Sequence, residues 1–600
     1  MKKNKLYTFV ALALMLGTTS CGDSFLTEEP SSKLPLDGYY NSEARCLESA
    51  VAAYHPMQWF DYFGGWAPLN IVWDSMGDDL YVGGSGTSDQ GQIHLISQFR
   101  SDPRNTIGGA WTTAYSGINR SIRLIDNANG CEVLDETTRK AFVAEGSTLR
   151  AWYYLVLWKL WGNIPLYMEN LTLPYIAEQK SATEVYNTII ENLEQVIDSK
   201  VLPMKRESGQ EGRMTQAAAE MIFADYVMYQ KDESRYAKAL SYMKDIIDSQ
   251  KYDLVVGADY DFLFDNTHEW SSEIILDVNY VSQGGKRDWG SANATGGTVM
   301  PTLIAIPDLN YNTTGDNTNT GKNAEFFDGG WGFAPISIEC YESFEEGDLR
   351  RDIALINLEQ YTMDMLKVGK VVTYGSRYQQ TGINLRKYQA RPGYNEGYVG
   401  ANNMNWTNNL HLYRFAETLL NAAELALATG DNSAAQNYFD RVRTRAGLGQ
   451  KPVSVDNILE ERRHEFVGEG KRYFDLVRTD RAASVLAKGA GRIPEANKLR
   501  KLQWVKNSDM QENKGGQYDK FILVPKSELP AKLFEGEGNK NNYAEGKDGR
   551  KLYWTCAKTE WKTTGTAVPE REAWTATKKY IPIPQSEIEA AKGTIIQNEY

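Results

Sequence analysis

The sequence contains few of the residues that build metal and thiol chemistry. Its 600 residues include 5 cysteines and 5 histidines. No histidine pair has the H-E-x-x-H spacing of a metalloprotease and no two cysteines form a C-x-x-C pair, so the sequence predicts no metal site and no cofactor. Apart from Cys21, the cysteines are widely scattered, at Cys46, Cys131, Cys340 and Cys556. Buried thiols are favoured for these four, and disulfides are the alternative if the chain folds outside the cytoplasm.

A surplus of positive charge is also missing. The formal net charge of −13 lacks the basic footprint that nucleic acid binding requires, and it disfavours adhesion to an anionic lipid surface by charge alone. The chain contains no phosphate-binding loop, no dinucleotide fingerprint and no G-x-S-x-G elbow. These absences argue against a nucleic-acid-binding protein and against three common classes of enzyme.

Long apolar runs are absent except at the start of the chain. Lysines precede an apolar run at 6–16, which is too short to span a bilayer and is typical of an export signal. Small residues then lead to Cys21, which predicts a bacterial lipoprotein whose signal, 1–20, is removed and whose Cys21 thiol carries lipid. Thr18 stands where such signals prefer leucine, and the alternative is an ordinary secretory signal cleaved near Ser20.

Aromatic residues, by contrast, are abundant. The chain has 15 tryptophans and 35 tyrosines, and such a surplus suits sugar binding because pyranose rings stack on flat apolar faces. A glycine-rich loop region at about 59–86 combines aromatic and acidic residues. We predict that it contributes to a glycan platform through Trp66, Trp73, Asp78, Asp79 and Tyr81. The alternative is that its aromatic residues fix the loop to the core.

Two further loop regions carry candidate ligand residues. Arg104 and Asn105 lie in a polar loop and are predicted partners for sugar hydroxyls, with a solvated loop as the alternative. Trp289 and Trp331 lie on glycine-flanked loops of a long irregular segment and are predicted to stack on sugar, unless they are buried. An Asn-rich run at 312–323 lacks the register of a calcium-binding loop.

The remaining apolar pattern predicts helices in pairs. Apolar residues recur every three or four positions at 42–54, 111–128, 137–161, 182–197, 214–229, 236–247, 410–428, 433–445 and 455–466, with a further helix from 472. Stacked pairs of this size bury a continuous core. We predict a mostly α fold of tetratricopeptide-like helical hairpins that form a right-handed scaffold. A large loop-rich insert at 251–409 is expected to carry short strands, at 274–278 and 371–374.

The segment 459–478 is dense in both charge signs and still rich in aromatic residues. It predicts a helix, a corner at Gly468 and Gly470, and a second helix whose arginines and glutamates pair with neighbouring helices. The run from Glu460 to Arg478 resembles the signature of the SusD/RagB family, surface lipoproteins of Bacteroidetes that bind nutrients.

Other segments extend the resemblance from Cys21 to Tyr600. The segments 149–165 and 339–352 are similar to family motifs, and so is the closing stretch 580–600, where Glu599 replaces the usual Pro-Gly step. The resemblance implies a single SusD-like body over 21–600. Its predicted parts are an N-terminal region at about 21–135, a helical scaffold at about 136–250 and 410–480, the insert at 251–409 and a C-terminal region at about 481–600.

The resemblance also implies a function. Such a protein would sit on the outer face of the outer membrane by its lipid anchor, capture oligosaccharide or polysaccharide and deliver it to a SusC-like TonB-dependent transporter. A peptide receptor of the same family and a ligand-free transporter lid are alternatives. A glycoside hydrolase would need two facing carboxylates, and Asp78 and Asp79, adjacent in an extended chain, point to opposite sides. We therefore favour binding without catalysis.

Overall fold

The computed structural model describes residues 38–63, 68–281, 296–313, 325–367, 370–375, 377–395, 401–487 and 571–600, and short strands at 505–506, 543–545 and 551–553. The predicted signal and Cys21 lie outside these ranges, as do Trp66 and Trp289.

Helices make up most of the described chain. In chain order they are α1 (Glu43–Tyr54), α2 (Phe60–Phe63), α3 (Leu69–Ser75), α4 (Gly91–Ser97), α5 (Gly108–Gly130), α6 (Glu136–Trp161), α7 (Ala182–Asp198), α8 (Gln216–Gln230), α9 (Tyr236–Asp248), α10 (Met300–Ile304), α11 (Ile338–Ser343), α12 (Leu349–Ala354), α13 (Leu358–Lys367), α14 (Phe415–Ala428), α15 (Asn432–Arg445), α16 (Val455–Glu465), α17 (Arg472–Arg478), α18 (Ala482–Val485) and α19 (Gln585–Ala590). Within the described ranges, no helix combines the length and the apolar character needed to cross a membrane.

The strands form small antiparallel ladders. They are β1 (Ile164–Pro165) with β2 (Gln179–Lys180), β3 (Ile274–Val278) with β8 (Leu410–Arg414), β4 (Asn310–Thr313) with β6 (Lys370–Thr373), β5 (Leu355–Asn357) with β7 (Ile383–Leu385), and a three-stranded ladder in the order β10 (Tyr543–Glu545), β11 (Lys551–Tyr553), β9 (Val505–Lys506). The two strands predicted in the insert are present, the second shifted by one residue.

Side-chain caps define where several helices begin. Ser42 accepts a hydrogen bond from the third residue of α1, and Asp135 does the same for α6. At α7 the Ser181 side chain and Glu184 form a reciprocal capping box. These small polar residues stand where the sequence changes from loop to apolar periodicity, which is why the predicted boundaries lie within a few residues of the observed ones.

The scaffold is a set of packed helical hairpins, as the sequence predicts. α5 packs on α6, α8 on α9 and α14 on α15, and α9 also packs on α14, so that the N-terminal and C-terminal hairpins share one core. α1 covers α5 and α6, and the Tyr153 hydroxyl donates to the Ala53 carbonyl (2.7 Å) to join them. The apolar stripes of the hairpins are buried against one another.

Two expectations about secondary structure need correction. Residues Leu410–Arg414 form strand β8 instead of the first turn of a helix, because their backbone groups pair with the buried strand β3. The loop region predicted at about 59–86 contains the short helices α2 and α3, the second starting directly after Pro68. Long-range pairing in the first case and local backbone hydrogen bonds in the second override the sequence pattern.

The contact between α5 and α6 depends on Gly117. A Cβ built on Gly117 would lie 2.3 Å from the Tyr153 ring, whereas one on Gly130 at the end of the same helix would meet nothing within 4 Å. We expect Gly117→Ala to lower the free energy of unfolding by about 1–3 kcal/mol through overpacking. Gly130→Ala is the matched control and should leave stability unchanged or slightly raised. Urea titrations followed by far-ultraviolet circular dichroism measure both, and equal stability of the two variants would contradict the packing argument.

Candidate functional site

An open surface groove of about 680 Å³ lies on the segment between residues 87 and 105, with α4 as one wall. Hydroxyl, amide and guanidinium groups line it, contributed by Thr87, Gln90, Gln92, Gln98, Arg100 and Asn105. His94 also lines the groove, and burial lowers its pKa to about 4, so this imidazole is uncharged at neutral pH. Among the described lining residues none is a carboxylate. The groove therefore offers mainly neutral donors and acceptors.

The half-buried Tyr378 contacts a residue of this groove, and the half-buried Trp331 lies near the turn that precedes it. The Tyr378 ring meets the His94 ring edge to face with centroids 5.6 Å apart, and the Tyr378 backbone N–H donates to the Gly84 carbonyl (2.9 Å). The Gly84 N–H donates in turn to the Gly332 carbonyl (3.3 Å), which brings Trp331 close to the same turn. Aromatic faces next to amides are the combination that pyranose recognition uses.

The turn at Gly83 and Gly84 requires glycine. Both residues have positive φ, +78° and +74°. A Cβ on Gly83 would lie 2.5 Å from the Gly332 carbonyl oxygen, and one on Gly84 would lie 2.6 Å from the Phe333 ring. The two glycines thus allow the insert to approach the groove segment backbone to backbone.

Arg571 and Lys578 hydrogen-bond to backbone carbonyls on either side of α4. The buried Arg571 guanidinium donates to the carbonyls of Ser97 and Gly77 (both 2.7 Å), and burial lowers its pKa to about 10. The Lys578 ammonium donates to the Phe99 carbonyl (2.9 Å). These bonds fix the backbone on which α4 and the lining amides are carried.

Of the predicted loop residues, Asn105 lines the groove and Arg104 is exposed beside it. The Asp102 carboxylate accepts from the backbone N–H groups of Arg104 (2.8 Å) and Asn105 (3.1 Å) and from the Asn105 amide (2.8 Å). The loop is therefore held by its own acidic residue.

Asp78 and Asp79 bind arginines of the corner segment. Arg472 donates to Asp78 (2.7 and 3.0 Å), and Arg463 donates to Asp79 (2.5 and 2.7 Å). Asp79 is 1% exposed. The predicted role of these aspartates in ligand binding stays a prediction, and their observed contacts join the groove-bearing segment to the corner.

The predicted aromatic residues fall in different environments. Trp73 packs edge to face on Phe474 (5.3 Å) at a small interior cavity of about 60 Å³, and Tyr81 is buried. Trp331 is half-buried and lies near the turn at Gly84, and its backbone N–H donates to the Thr302 carbonyl (2.9 Å). Trp331 thus lies near the turn at Gly84, whereas Trp73 and Tyr81 pack against the core.

Sequence reasoning missed the groove amides, Tyr378 and Arg571. The run Asp89-Gln-Gly-Gln92 places two amides around a glycine and was an available signal for an exposed polar segment. No local signal exists for Tyr378 or Arg571, because both reach the groove from distant parts of the chain.

A buried cluster of ion pairs includes Glu465 and Glu469 of the signature segment. Arg414 donates to Glu469 (2.8 Å twice) and Glu465 (3.1 Å) and also pairs with Glu273. Although burial opposes it, Arg414 and the neighbouring Lys387 lower the pKa of Glu469 to about 2. Within the described part of the chain, no group of three or more His, Cys, Asp or Glu side chains is arranged to hold a metal.

Removing Arg414 should strongly destabilise the protein. Arg414→Met leaves Glu273, Glu465 and Glu469 buried with one cation fewer among their partners, and breaking such a pair costs about 3–5 kcal/mol. Arg45→Met removes an exposed arginine whose side chain is 37% accessible and pairs with Glu48, and this control should unfold like the unmodified protein. Chemical denaturation at neutral pH compares the two. A midpoint for Arg414→Met equal to that of the control would mean that the cluster does not hold the fold.

Asp74 generates a prediction about pH. Its buried carboxyl accepts from the Gly470 N–H (2.9 Å), and burial raises its pKa to about 8. The folded state therefore keeps a proton that the unfolded chain loses near pH 4. This group's contribution to stability is present in full below about pH 4 and is lost as pH rises toward 8.

The variant Asp74→Asn should remove that contribution while an amide oxygen still accepts from Gly470. Between pH 6 and about 8, we expect stability to fall more steeply for the unmodified protein than for Asp74→Asn. Asp135→Asn is the control, because its carboxyl is exposed with a lowered pKa and stays ionised over this range. Urea midpoints at several pH values test the prediction, and parallel curves for all three proteins would contradict it.

The chain is similar in sequence and in structure to known SusD-like proteins. The model of the SusD family matches residues 358–600. A SusD-like protein of Bacteroides ovatus is 26% identical over 500 residues, which cover 79% of this chain and 82% of the relative. Surface glycan-binding protein A from Bacteroides thetaiotaomicron, solved in complex with laminarihexaose, is 36% identical with a TM-score of 0.72 and covers 93% of this chain and 99% of its own. The corresponding protein from Bacteroides fluxus is 31% identical with a TM-score of 0.71, at the same coverage.

Proposed function

The chain belongs to the SusD family, and on that premise we propose that it is a non-catalytic receptor for a neutral glycan, which it binds in the groove beside Trp331 and Tyr378. The observation that carries the proposal is the groove itself, which is open and lined mainly by amides and hydroxyls, with the half-buried Tyr378 ring against its His94 and the half-buried Trp331 near the preceding turn at Gly84. Sugar hydroxyls pair with amides as both donors and acceptors, and the apolar face of the ring stacks on an aromatic side chain.

The groove favours binding over hydrolysis. Glycosidases use two carboxyl groups held about 5–10 Å apart, and the described lining of the groove contains no aspartate or glutamate. The acidic residues nearby are engaged in other contacts. Asp102 accepts from its own loop and Asp89 accepts from Ser85 (2.9 and 3.0 Å).

The ligand class we place first is a glucan of the laminarin type. Support comes from the related surface glycan-binding protein A, 36% identical, whose structure contains laminarihexaose. A neutral glucan also suits a groove whose lining is mostly uncharged at neutral pH. A peptide ligand remains the outcome to test against, because amides pair with peptide groups as well as with sugars.

We place the receptor on the cell surface. The export signal at 1–20 and Cys21 support a lipid anchor in the outer membrane, facing outward. From this position the protein would deliver bound oligosaccharide to a SusC-like TonB-dependent transporter. Co-purification of the full-length protein with an outer-membrane barrel protein after mild detergent extraction would test this delivery step.

Substitution of Trp331 tests the binding site. Trp331→Ala should weaken binding of laminarihexaose roughly ten- to hundredfold, since a stacking aromatic contributes about 1.5–3 kcal/mol when fully buried. Asn105→Ala should weaken it less, by the loss of one hydrogen bond. Isothermal titration calorimetry on the lipid-free protein measures both, and thermal melting confirms that each variant is folded.

Tyr175→Ala is the matched control, because Tyr175 is an aromatic residue 64% exposed on a loop between β1 and β2. It should bind like the unmodified protein. Assays for new reducing ends should stay negative throughout. Normal binding by Trp331→Ala would place the site elsewhere, new reducing ends would replace the receptor with an enzyme, and failure with every glycan but success with peptides would establish the peptide alternative.

A further inference from the structure

We propose that Cys46 and Cys131 form a disulfide in the exported protein and thereby join the first helix of the body to the helical scaffold. The proposal concerns a part of the molecule away from the glycan groove. It shares with the proposed function only the export of the chain, and it would stand if the ligand were a peptide.

The two cysteines face each other across a helix contact. Cys46 lies on the inner side of α1 and Cys131 directly follows the last residue of α5, and these helices pack together. Cys46 is 0% and Cys131 1% exposed, in one continuous core. Their thiols are within hydrogen-bonding reach of each other. Both are free in the structure.

A second contact fixes the register of the pair. The Asn127 amide donates to the Ser49 hydroxyl (2.9 Å). Asn127 lies about one turn before Cys131 and Ser49 about one turn after Cys46. The two helix surfaces are thus hydrogen-bonded about one turn away from the thiols, in a register that places Cys46 opposite Cys131.

Cys340 provides the contrast within the same molecule. It is also fully buried, but its neighbours are the charged pair of Asp79 and Arg463. Cysteine burial alone therefore does not predict a disulfide here. The distinguishing feature of Cys46 and Cys131 is that each has the other as its neighbour.

The bond would form during folding. Burial, and after it the Cys131 thiol, raises the pKa of Cys46 to about 12, so Cys46 holds almost no thiolate in the folded protein, and the burial of both thiols excludes large oxidants. Before α1 docks, a thiolate of one cysteine attacks a disulfide of an envelope thiol oxidant, giving a mixed disulfide. The second thiolate displaces the oxidant, which leaves as a dithiol carrying the two electrons, and the two protons pass to it or to water.

The position of the bond gives it a consequence for the site. The loop that it closes runs from 46 to 131 and contains the whole groove segment, 87–105. Closing a long loop restricts the unfolded chain and so favours the folded one. The bond would also tie α1, the first described helix after the predicted lipid anchor, to the scaffold that carries the groove.

Peptide mapping tests the proposal directly. Full-length protein is exported in a bacterial host, denatured at once with an alkylating reagent but no reductant, digested and analysed by mass spectrometry. We expect a cross-linked peptide that contains Cys46 and Cys131, lighter by two hydrogens than the sum of the reduced peptides, and alkylated Cys340. Alkyl label on both Cys46 and Cys131 would overturn the proposal, and so would a cross-link of either one to Cys340 or Cys556.

Variants separate this bond from general effects on packing. Cys340→Ser should retain the cross-link. Without reductant, the double variant Cys46→Ser/Cys131→Ser should melt several degrees lower than the unmodified protein. With reductant, the two proteins should melt at the same temperature. If reductant left the melting temperature of the unmodified protein unchanged while the cross-link was lost, the proposed stabilising role would be wrong. Glycan titrations on the same samples are scored separately, so the two proposals succeed or fail independently.

Discussion

The architecture depends on charges that can exist in the interior only as a group. Arg414 ends strand β8 and meets Glu465, the last residue of α16, Glu469 of the corner that follows, and Glu273 before β3. Arg445 at the end of α15 binds Glu273 and Glu465 as well (2.8 and 2.6 Å). An ion buried without a partner carries a penalty of several kcal/mol. The hairpin α14–α15, the corner and the β3–β8 ladder must therefore assemble together, because any one of them packed without the others would bury an unpaired charge.

The position of the groove follows from this corner. Gly468 and Gly470 turn the chain with positive φ, and the carbonyl of Gly468 and the N–H of Gly470 are taken up by Asn70 and Asp74 of α3. The corner arginines then hold the two aspartates that follow α3. The segment that follows α3 is thus fixed to the corner, and the groove lies a few residues further along the chain. Arg571 completes the support from the opposite side.

The scaffold could be predicted from the sequence better than the site, for a physical reason. In a helix pair, the buried apolar residues recur along the sequence at intervals of three and four residues, and N-cap residues such as Asp135 mark where a helix begins. The corner and its pairing charges were also predictable, because charge and aromatic residues together in one segment imply buried ions. Leu410–Arg414 was assigned wrongly because its partner strand lies more than a hundred residues earlier, and no local pattern records that pairing. The same holds for the contact of Tyr378 with His94, since residues that meet from distant segments leave no periodic pattern in the sequence.

The division of charge in the molecule bears on the kind of ligand that it suits. Several carboxylates and arginines are buried and paired with one another, and the aspartates near the groove accept hydrogen bonds from groups of their own loops. Hydroxyls and amides, which act as donors and acceptors without a fixed charge, remain on the groove surface. An anionic ligand would find Arg100 there, but Glu572 lies 3.7 Å from that guanidinium and competes for it. A neutral polyhydroxylated chain can exchange its hydration for hydrogen bonds in such a groove and gain from aromatic stacking, which is the physical basis of the proposal that the ligand is a sugar.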